Sequence, residues 1–376
     1  MNHIRRIVPV YTSDVSGVCS ALYEMGGMVV MHDPSGCNST YNTHDEIRWY
    51  DKDSLIFISA LTERDAAAGN DSRFYGDVLD TAKELKPRFV AITNSPIPYL
   101  TGTDFPAIAK KLEKELGIPC FYVPANGMHD YTAGAGKAFF KTAERLVEDT
   151  DKRTPRSINI IGMTPPDYAA RGSARSIRKV LEDAGYKVNS VWAMDDDPDN
   201  IKKSGEAAVN LAVSSTGLSA ARLLKKRFGT PCAAGMPAGE FSEVLIRAIK
   251  KAESTKEDVI AYKTAQSEAP SKPELTLIGE PVITGSLACA VRIKYGCETK
   301  VICPTEIYKG LLRETDAAAR TEEEICSCLE GAKDVVADPF YKYILPEDAR
   351  LHELPALALS GRIYLKKIPV LSEMII

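Results

Sequence analysis

Residues 32–46, HDPSGCNSTYNTHDE, concentrate side chains that can do chemistry. The stretch carries one thiol, Cys37, with two imidazoles and three carboxylates, and it follows the apolar run MVVM. The Pro-Ser-Gly turn before Cys37 predicts a loop at the end of a strand. Turn amides lower the pKa of a thiol and favour the thiolate, which is the metal-binding form. The stretch therefore predicts a functional cysteine, and a buried cysteine at a tight turn is the alternative.

A second cysteine, Cys19, is predicted to approach Cys37. Residues 16–26 are predicted to form a short helix that Gly26 and Gly27 end, and the following strand returns toward the Pro-Ser-Gly turn. Cys19 would then lie in the first helical turn, where backbone amides also favour a thiolate. Two thiolates suit a soft metal or an iron–sulfur cluster. Because a 4Fe-4S cluster takes four ligands, we expect a two-fold axis to bring two such pairs together.

The other cysteines offer no comparable site. The chain has nine cysteines and no CxxC motif, so most are predicted to be buried small side chains rather than disulfide partners. Cys326 and Cys328 fall in the predicted surface helix TEEEICSCLEG. Two residues apart on a helix they point to different faces, and we expect no metal there.

Composition limits the functional classes. The chain has 376 residues, of which 44% are apolar and 26% charged, and its formal net charge is −4. This length predicts two or three domains, and the negative charge argues against nucleic acid or an anionic membrane as main partner. No apolar run reaches membrane-spanning length, and MNHIRRIVPVY lacks the apolar core of a signal peptide. We therefore expect a cytoplasmic protein.

Short β-type runs alternate with helical stretches along the whole chain. The first third contains the candidate strands MVVMHD (28–33), SLIFIS (54–59), RFVAITN (88–94) and CFYVPA (120–125). Such alternation predicts the α/β class, with parallel sheets covered on both faces. A charged segment at 147–157 and a polar segment at 265–274 interrupt it.

We therefore predict three Rossmann-like domains around a central cleft. Their ranges are residues 1–150, with the cysteine loop, 151–268 and 269–376. Ligands of such sheets lie at the carboxyl ends of strands, often between domains. No GxGxxG follows the first strand of any domain and no GxxxxGK[ST] occurs, so dinucleotide and ATP sites are poorly supported.

The cysteine stretch resembles a known family. HDPSGCNSTY is similar to the His-Gly-Pro-x-Gly-Cys segment of nitrogenase component 1 and its relatives, the dark-operative protochlorophyllide reductases, cofactor scaffold proteins and the nickel-tetrapyrrole cyclase of methanogens. SALTERDAAAGND (59–71) and the segment at 92–128 resemble further family motifs. Later segments at 209–231, 285–296 and 357–364 resemble its middle and last domains.

The resemblance implies an oxidoreductase component with an interface iron–sulfur cluster. Electrons would come from an ATP-dependent iron protein, and the chain would pair with itself or with a sister subunit. The metal ligands expected are Cys37 and Cys19. Ser95 is an outside candidate for an oxygen ligand, and His32, Glu63 and Asp65 are expected beside the cluster loop.

Departures from the family pattern narrow the expected chemistry. Members with an eight-iron cluster have three cysteines per subunit, and only Cys37 matches one of them; the others fall near Tyr11 and at Ser95. The cysteine that holds the nitrogenase cofactor falls near Ser214. A single 4Fe-4S cluster is therefore more consistent with this chain, and we expect neither an iron–molybdenum-type cofactor nor reduction of dinitrogen.

Several residues leave two interpretations open. His32 could tune the cluster or donate a proton, or it could be a hydrogen-bonded core histidine. The segment 44–49 could be a proton relay or a docking patch, or it could be a solvated charged loop. Glu63 and Asp65 could brace the cluster loop or place charge at a helix N-terminus. His129 and Arg171 are weaker ligand-binding candidates.

Two functions compete with the reductase. One is a non-catalytic scaffold that assembles or carries a metallocluster for another enzyme. The other is a cluster-free α/β binding protein that has kept the fold and lost the redox role. Substrate turnover with iron protein and ATP separates a reductase from a scaffold, and iron content separates both from a binding protein.

Overall fold

A computed structural model describes residues 5–36, 38–41, 45–264 and 274–374. Within these ranges the chain forms three α/β units, each built on one parallel sheet. This confirms the predicted fold class. Cys37 and His44 lie outside the described residues. No helix in the described ranges is long and apolar enough to cross a membrane.

The first unit has the strand order β2-β1-β3-β4. Its strands are β1 (Met28–His32), β2 (Leu55–Ile58), β3 (Val90–Asn94) and β4 (Cys120–Tyr122). Its helices are α1 (Asp14–Leu22), α2 (Glu63–Ala68), α3 (Ser72–Leu85), α4 (Pro96–Thr101), α5 (Phe105–Leu116) and α6 (Tyr131–Arg145).

The second unit has the strand order β6-β5-β7-β8-β9. Its strands are β5 (Thr154–Ile161), β6 (Lys187–Val191), β7 (Ala207–Ala212), β8 (Cys232–Ala234) and β9 (Val259–Ile260). Its helices are α7 (Pro165–Tyr168), α8 (Ser173–Asp183), α9 (Pro198–Lys202), α10 (Leu218–Phe228) and α11 (Phe241–Thr255).

The third unit has the strand order β12-β11-β10-β13-β14. Its strands are β10 (Leu275–Ile278), β11 (Thr299–Cys303), β12 (Ala317–Ala318), β13 (Asp334–Ala337) and β14 (Arg350–Glu353). Its helices are α12 (Pro281–Tyr295), α13 (Glu322–Cys328) and α14 (Leu357–Ser360).

Each sheet has a point where the chain reverses its direction of winding. The first strand of each unit lies inside its sheet, and the next strand pairs on one side before a later strand pairs on the other. These points lie between β1 and β3, between β5 and β7, and between β10 and β13. The crevice at the carboxyl ends of such strands is where ligands of open α/β sheets bind.

The four strands predicted in the first third are all present. The very short strands β9 and β12 and the four-residue helix α7 were not predicted, because so few residues show no periodicity. The strand β14 was also missed, because its sequence RLHE is mostly polar and exposed. The domain limits at 150 and 268 stay a prediction.

Segments near the two ends of the described chain contact units other than their own. The backbone amides of Arg6 and Ile7 donate to the carboxylate of Glu322 in α13, and Ile7 lies in the hydrophobic cluster of the third unit. Near the other end, the hydroxyl of Ser372 lies 2.8 Å from that of Ser176 in α8 of the second unit. The segment before α1, assigned by sequence to the first domain, thus contacts the third unit.

Helices α1 and α6 pack with almost no space between their backbones. A Cβ on Gly17 of α1 would overlap the carbonyl oxygen of Tyr131, and one on Gly134 of α6 would overlap that of Asp14. The Asp14 carboxylate also accepts from the amides of Asn126 and Gly127, at 3.0 and 2.9 Å. This contact fixes α1, which carries Cys19, against the middle of the molecule.

The Gly17→Ala variant should therefore lower the free energy of unfolding by about 2–3 kcal/mol, because the added methyl group overpacks a backbone contact. Urea denaturation checks this. The matched control is Gly76→Ala in α3, where a Cβ would meet no atom within 4 Å. That variant should gain about 1 kcal/mol from helix propensity. Equal effects of the two changes would contradict the packing described for α1.

Candidate functional site

The carboxyl ends of β1 and β3 form the most distinctive polar site of the first unit. His32 and Asn94 pair across the sheet at this edge, and the segment that leads to Cys37 begins directly after β1. Ser95 follows β3 and is the N-cap of α4. The residues predicted from sequence at positions 32 and 95 are thus brought to one crevice.

Several buried polar atoms at these strand ends have no hydrogen-bond partner. They are Nε2 of His32, Oδ1 of Asp33, Nδ2 of Asn38, Oγ1 of Thr93 and Oγ of Ser95. Buried polar atoms in folded proteins are nearly always paired, and an unpaired one costs free energy. Three of them, on Asp33, Thr93 and Ser95, lie at the ends of adjacent strands, which indicates a place that a bound group or water completes. Asp33 and Thr93 were missed as site residues, although both stand beside predicted strand ends.

Strand alternation separates these atoms into two faces. Met28 and Val30 belong to a different hydrophobic cluster from Val29 and Met31. Because side chains alternate along a strand, Asp33 continues the face of Val29 and Met31, which is also the face of Cys19. Along β3, Thr93 and Ser95 continue the matching face.

The residues of this face supply only part of a site for a bound group that carries hydrogen-bond acceptors. The hydroxyls of Thr93 and Ser95 can donate hydrogen bonds to the sulfur atoms of a cluster. The predicted thiol ligand, Cys37, lies outside the described residues. Among the residues that are described, no group of three or more His, Cys, Asp or Glu is arranged to hold a metal ion.

Cys19 does not have the expected thiolate character. The helix α1 begins at Asp14, so Cys19 lies in its second turn rather than in the first. The thiol is fully buried in a hydrophobic cluster, and burial, together with the Glu46 carboxylate, raises its pKa well above the usual value. The expectation of a lowered pKa is wrong, because apolar packing outweighs the helix amides. The predicted role of Cys19 as a metal ligand stays untested, and its burial favours the alternative of a core cysteine.

His32 is a neutral, packed histidine. Its Nδ1 lies 2.7 Å from the hydroxyl of Ser59, and its ring lies 4.0 Å from that of Phe74 between centroids. Burial lowers the pKa of His32 to about 4, against the weaker effect of Asp33. The imidazole is therefore uncharged at neutral pH, which supports the core interpretation and removes a charged proton donor from this position.

Glu63 and Asp65 lie at the beginning of α2. Asp65 accepts from the hydroxyl of Thr62 at 2.6 Å, while the Thr62 hydroxyl oxygen accepts from the amide of Asp65. Glu63 is an exposed residue of the first turn. These residues therefore place charge at a helix N-terminus, which is one of the two interpretations that the sequence allows. The link to the cluster loop is made instead by backbone, since the amide of Leu61 donates to the carbonyl of Asp33 at 2.8 Å.

The segment at 45–49, the described part of the predicted patch, contains a buried ion pair and is therefore not a fully solvated charged loop. Arg48 and Glu46 are buried, and the Arg48 guanidinium donates to both Glu46 oxygens at 2.7 and 2.8 Å. Its other three N–H groups donate to Glu24 and to the carbonyls of Ser20 and Ala193. Burial would raise the pKa of Glu46, but Arg48 outweighs it and lowers that pKa. The charges tie this segment to α1 and to the second unit.

Ser214 lies near the position at which the sequence resemblance places the cofactor cysteine of nitrogenase. Its side chain is buried, and its hydroxyl donates to the carbonyl of Gly162 at 3.0 Å and lies 2.6 Å from that of Thr216. The nearby cavity between the three units has a volume of about 40 Å³. The Ser214 hydroxyl thus makes its hydrogen bonds within the crevice between β5 and β7.

The remaining candidates are in ion pairs. The Nδ1 of His129 lies 2.6 Å from a Glu306 carboxylate oxygen, which joins the first and third units. Arg171 is exposed and pairs with Asp51 at 2.6 Å, which joins the second and first units. Both side chains serve contacts between units, and neither lies at the β1–β3 crevice.

An apolar surface adjoins the site. Helix α4 begins directly after Ser95, and its side chains Ile97, Tyr99 and Leu100 are 40%, 58% and 80% exposed. Large exposed apolar side chains in one short segment are typical of a surface that contacts another protein.

Comparison with known proteins identifies related chains. A family model described as nitrogenase component 1 type oxidoreductase matches residues 13–273. A nitrogenase molybdenum-iron protein alpha chain from Azospirillum brasilense is 27% identical over 220 residues, which are 54% of this chain and 44% of that one. One of the subunits of the light-independent protochlorophyllide reductase from Prosthecochloris aestuarii is 23% identical over 216 residues, 56% of this chain and 39% of that one.

A third relative has a different role in its name. The nitrogenase iron-molybdenum cofactor biosynthesis protein NifE from Nostoc sp. is 25% identical over 182 residues, 46% of this chain and 36% of that one. The chain thus spans less than half the length of these curated relatives. The solved structure titled nitrogenase Cp1 at pH 6.5 superposes with a TM-score of 0.70 at 16% identity, over 99% of this chain and 91% of that one. At that identity it supports the fold alone.

Replacing Arg48 by Met should lower the free energy of unfolding by about 3–5 kcal/mol at neutral pH, because Glu46 is left buried and unpaired. The loss should shrink as the pH falls. In the wild type the lowered pKa of Glu46 contributes stability that disappears on acidification, whereas an unpaired Glu46 is most stable when protonated. Urea denaturation at several pH values measures both effects.

The matched control is Arg247→Met, since Arg247 pairs with Glu243 on the surface of α11. This change should cost at most about 1 kcal/mol, with little dependence on pH. A loss of similar size in the two variants would contradict the assignment of Arg48 as a buried, compensated charge.

Proposed function

Because this chain belongs to the nitrogenase component 1 type oxidoreductases, we propose that it is the electron-accepting component of a two-component reductase. Its substrate would be a low-potential acceptor other than dinitrogen. The observation that supports this most is the crevice at the ends of β1 and β3, where buried polar atoms without partners lie beside the start of the segment that leads to Cys37.

We propose Cys37 as the ligand of an iron–sulfur cluster, and Ser95 as an oxygen ligand beside it. When bound, a 4Fe-4S cluster supplies one-electron transfer. Thr93 would donate a hydrogen bond at the same face. Cys19 would stay in the core with a protonated thiol, because nothing near it offsets its burial. A thiolate-held cluster requires reducing surroundings, so the proposal implies a cytoplasmic protein.

A partner must complete such a site. In the proposal, a second copy or a sister subunit contributes the remaining ligands, and an ATP-dependent iron protein delivers the electrons. The exposed apolar side chains of α4, next to Ser95, support a protein contact at this place. The names of two relatives, a nitrogenase alpha chain and a component of a protochlorophyllide reductase, support a redox role.

The alternative role is that of a scaffold for a metallocluster, as the name of the NifE relative suggests for that protein. The bonds of Ser214 speak against it, because this hydroxyl replaces the expected thiol anchor and is already paired with Gly162 and Thr216. The same observation supports the exclusion of dinitrogen as substrate. Turnover of candidate acceptors with iron protein and ATP distinguishes the two roles.

Iron and sulfide analysis with EPR of anaerobically purified protein tests the proposal. The wild type should hold about four irons per dimer. Cys37→Ala should abolish the iron and the EPR signal, because it removes the thiolate ligand. Ser95→Ala should weaken retention or change the EPR signal.

Two further variants calibrate this result. Cys297→Ala, at a partly exposed cysteine of the third unit, should leave the iron content unchanged. Cys19→Ala should also keep its iron. Loss of iron in Cys19→Ala would contradict the ligand set and favour the Cys19–Cys37 pair. A wild type without iron after reconstitution would reject the redox function and favour a cluster-free binding protein.

A further inference from the structure

A groove runs along the outer edge of the first sheet. β4 is an edge strand of that sheet, since among the described strands only β3 pairs with it. Residues of α5 and α6 form the two walls of the groove, residues of β4 line it between them, and its volume is about 750 Å³. The described lining includes none of the crevice residues at the ends of β1 and β3, so the groove is a separate place.

The edge of β4 that faces the groove carries backbone groups without protein partners. The carbonyl of Pro119 accepts from β3 and the amide of Val123 donates to it, at 3.0 and 2.8 Å. Because alternate residues of a strand bond to the same neighbour, Cys120 and Tyr122 direct their backbone groups away from β3. Within the described residues, both groups of Tyr122 and the carbonyl of Cys120 bond to no protein atom.

Charged side chains close the two ends of this edge. The carboxylate of Glu113 accepts from the amide of Cys120 at 3.1 Å and from Arg145 across the groove at 2.6 Å. At the other end, Nζ of Lys137 donates to the carbonyl of Pro124 at 3.0 Å. Charges of this kind protect edge strands against unspecific pairing. The open stretch between them is short and limits pairing to one register.

Both walls of the groove are basic. Helix α5 contributes Lys110 and Lys114, helix α6 contributes Lys141 and Arg145, and Glu113 is the one acidic residue in the described lining. The whole chain has a formal net charge of −4, so this concentration of positive charge is local. It favours an occupant that carries negative charge.

The two lysines of α5 lack partners of opposite charge. Lys110 and Lys114 are four residues apart on one helix face, where like charges repel each other. Among the described residues no carboxylate forms an ion pair with either of them, whereas Lys141 on the opposite wall pairs with Glu144 at 2.7 Å. An acidic group placed beside the α5 lysines would remove this repulsion.

The shape and the charge of the groove together select an extended chain. A second copy of this protein would bring its own basic walls against these, and such like-charge contacts are unfavourable. A small anion would leave the backbone groups of β4 unpaired and the apolar lining at Pro106 and Phe121 uncovered. An extended segment pairs with the strand edge, and its side chains alternate between the two walls.

We propose that this groove binds an extended, acidic segment of a partner protein, which adds to the first sheet beside β4. The amide of Tyr122 donates to a carbonyl of the segment, and the carbonyls of Cys120 and Tyr122 accept from its amides. Acidic side chains of the segment lie against Lys110 and Lys114 on one wall and against the cations of α6 on the other. This contact goes beyond the proposed reductase function and does not require a cluster.

Fluorescence anisotropy with synthetic peptides tests the proposal on the whole chain. The probe is a labelled peptide of glutamate and valine residues, arranged so that glutamates lie on both faces of the extended chain. It should bind, whereas the same peptide with lysine in place of glutamate should not. A third peptide keeps every glutamate but carries N-methyl groups on its backbone amides, which then cannot donate hydrogen bonds to a strand. Its affinity should be lower by about tenfold or more.

Substitution of the α5 lysines tests the charge of the groove. Lys110→Glu combined with Lys114→Glu should weaken binding of the glutamate peptide by about tenfold or more, because attraction becomes repulsion. The matched control, Lys250→Glu combined with Lys251→Glu, makes the same change in net charge on exposed residues of α11. It should leave the affinity unchanged. Sodium chloride should weaken the wild-type complex, because exposed charges are screened.

Amide hydrogen exchange locates the bound peptide. In heavy water, NMR should show that the amide of Tyr122 exchanges more slowly when the glutamate peptide is bound, because the peptide then accepts its hydrogen bond. The amide of Val123 is the internal control, since it donates to β3 at 2.8 Å without the peptide.

Three results would overturn the proposal. The first is a glutamate peptide that binds no better than the lysine peptide. The second is equal binding of the N-methylated peptide, which would show a contact between charges without strand addition. The third is an unchanged affinity in the variant of the α5 lysines. Peptide binding requires no iron, so these failures are distinguishable from failure of the reductase function, which the iron analysis tests.

Discussion

The arrangement of the candidate site depends on the hydrogen bonds and ion pairs of the buried Arg48 guanidinium. All five of its N–H groups have acceptors, which belong to Glu46, to α1 and the turn after it, and to the second unit. A buried charge is tolerated only when its partners are complete. The segment that contains Cys37 begins at the end of β1 and leads to this charge, so both of its ends are anchored to the folded core.

Buried polar atoms that have hydrogen-bond partners and those that lack them lie in different parts of the molecule. At contacts that hold the fold together, such as those of Arg48, Asp14 and Ser214, the polar atoms are bonded within the chain. In the described residues, most unpaired buried side-chain atoms lie at the β1–β3 crevice or around the cavity between the units. Both places lie at switch points of parallel sheets. The proposed electron transfer belongs to the first of these places.

The sequence predicted the three-sheet fold and the first four strands because periodicity of two and alternation of elements are local properties. It also brought His32 and Ser95 to one edge. The errors concern contacts between distant segments. Cys19 is buried near Tyr41 and Glu46, which come from a later segment of the chain, and the pairing of Arg48 depends on the second unit. Asp167 and Glu280 lie about a hundred residues apart in the sequence, and only the folded chain places them in one cavity.

In the proposed function the metal centre belongs to the β1–β3 crevice and not to the cavity between the units. Diffraction from anaerobically grown crystals, recorded on both sides of the iron absorption edge, distinguishes the two places. We expect an anomalous peak beside the Pro-Ser-Gly-Cys segment, bonded to Cys37 and shared with a partner chain. A peak in the cavity near Ser214 and Glu280, or at any other cysteine, would contradict the proposed metal centre.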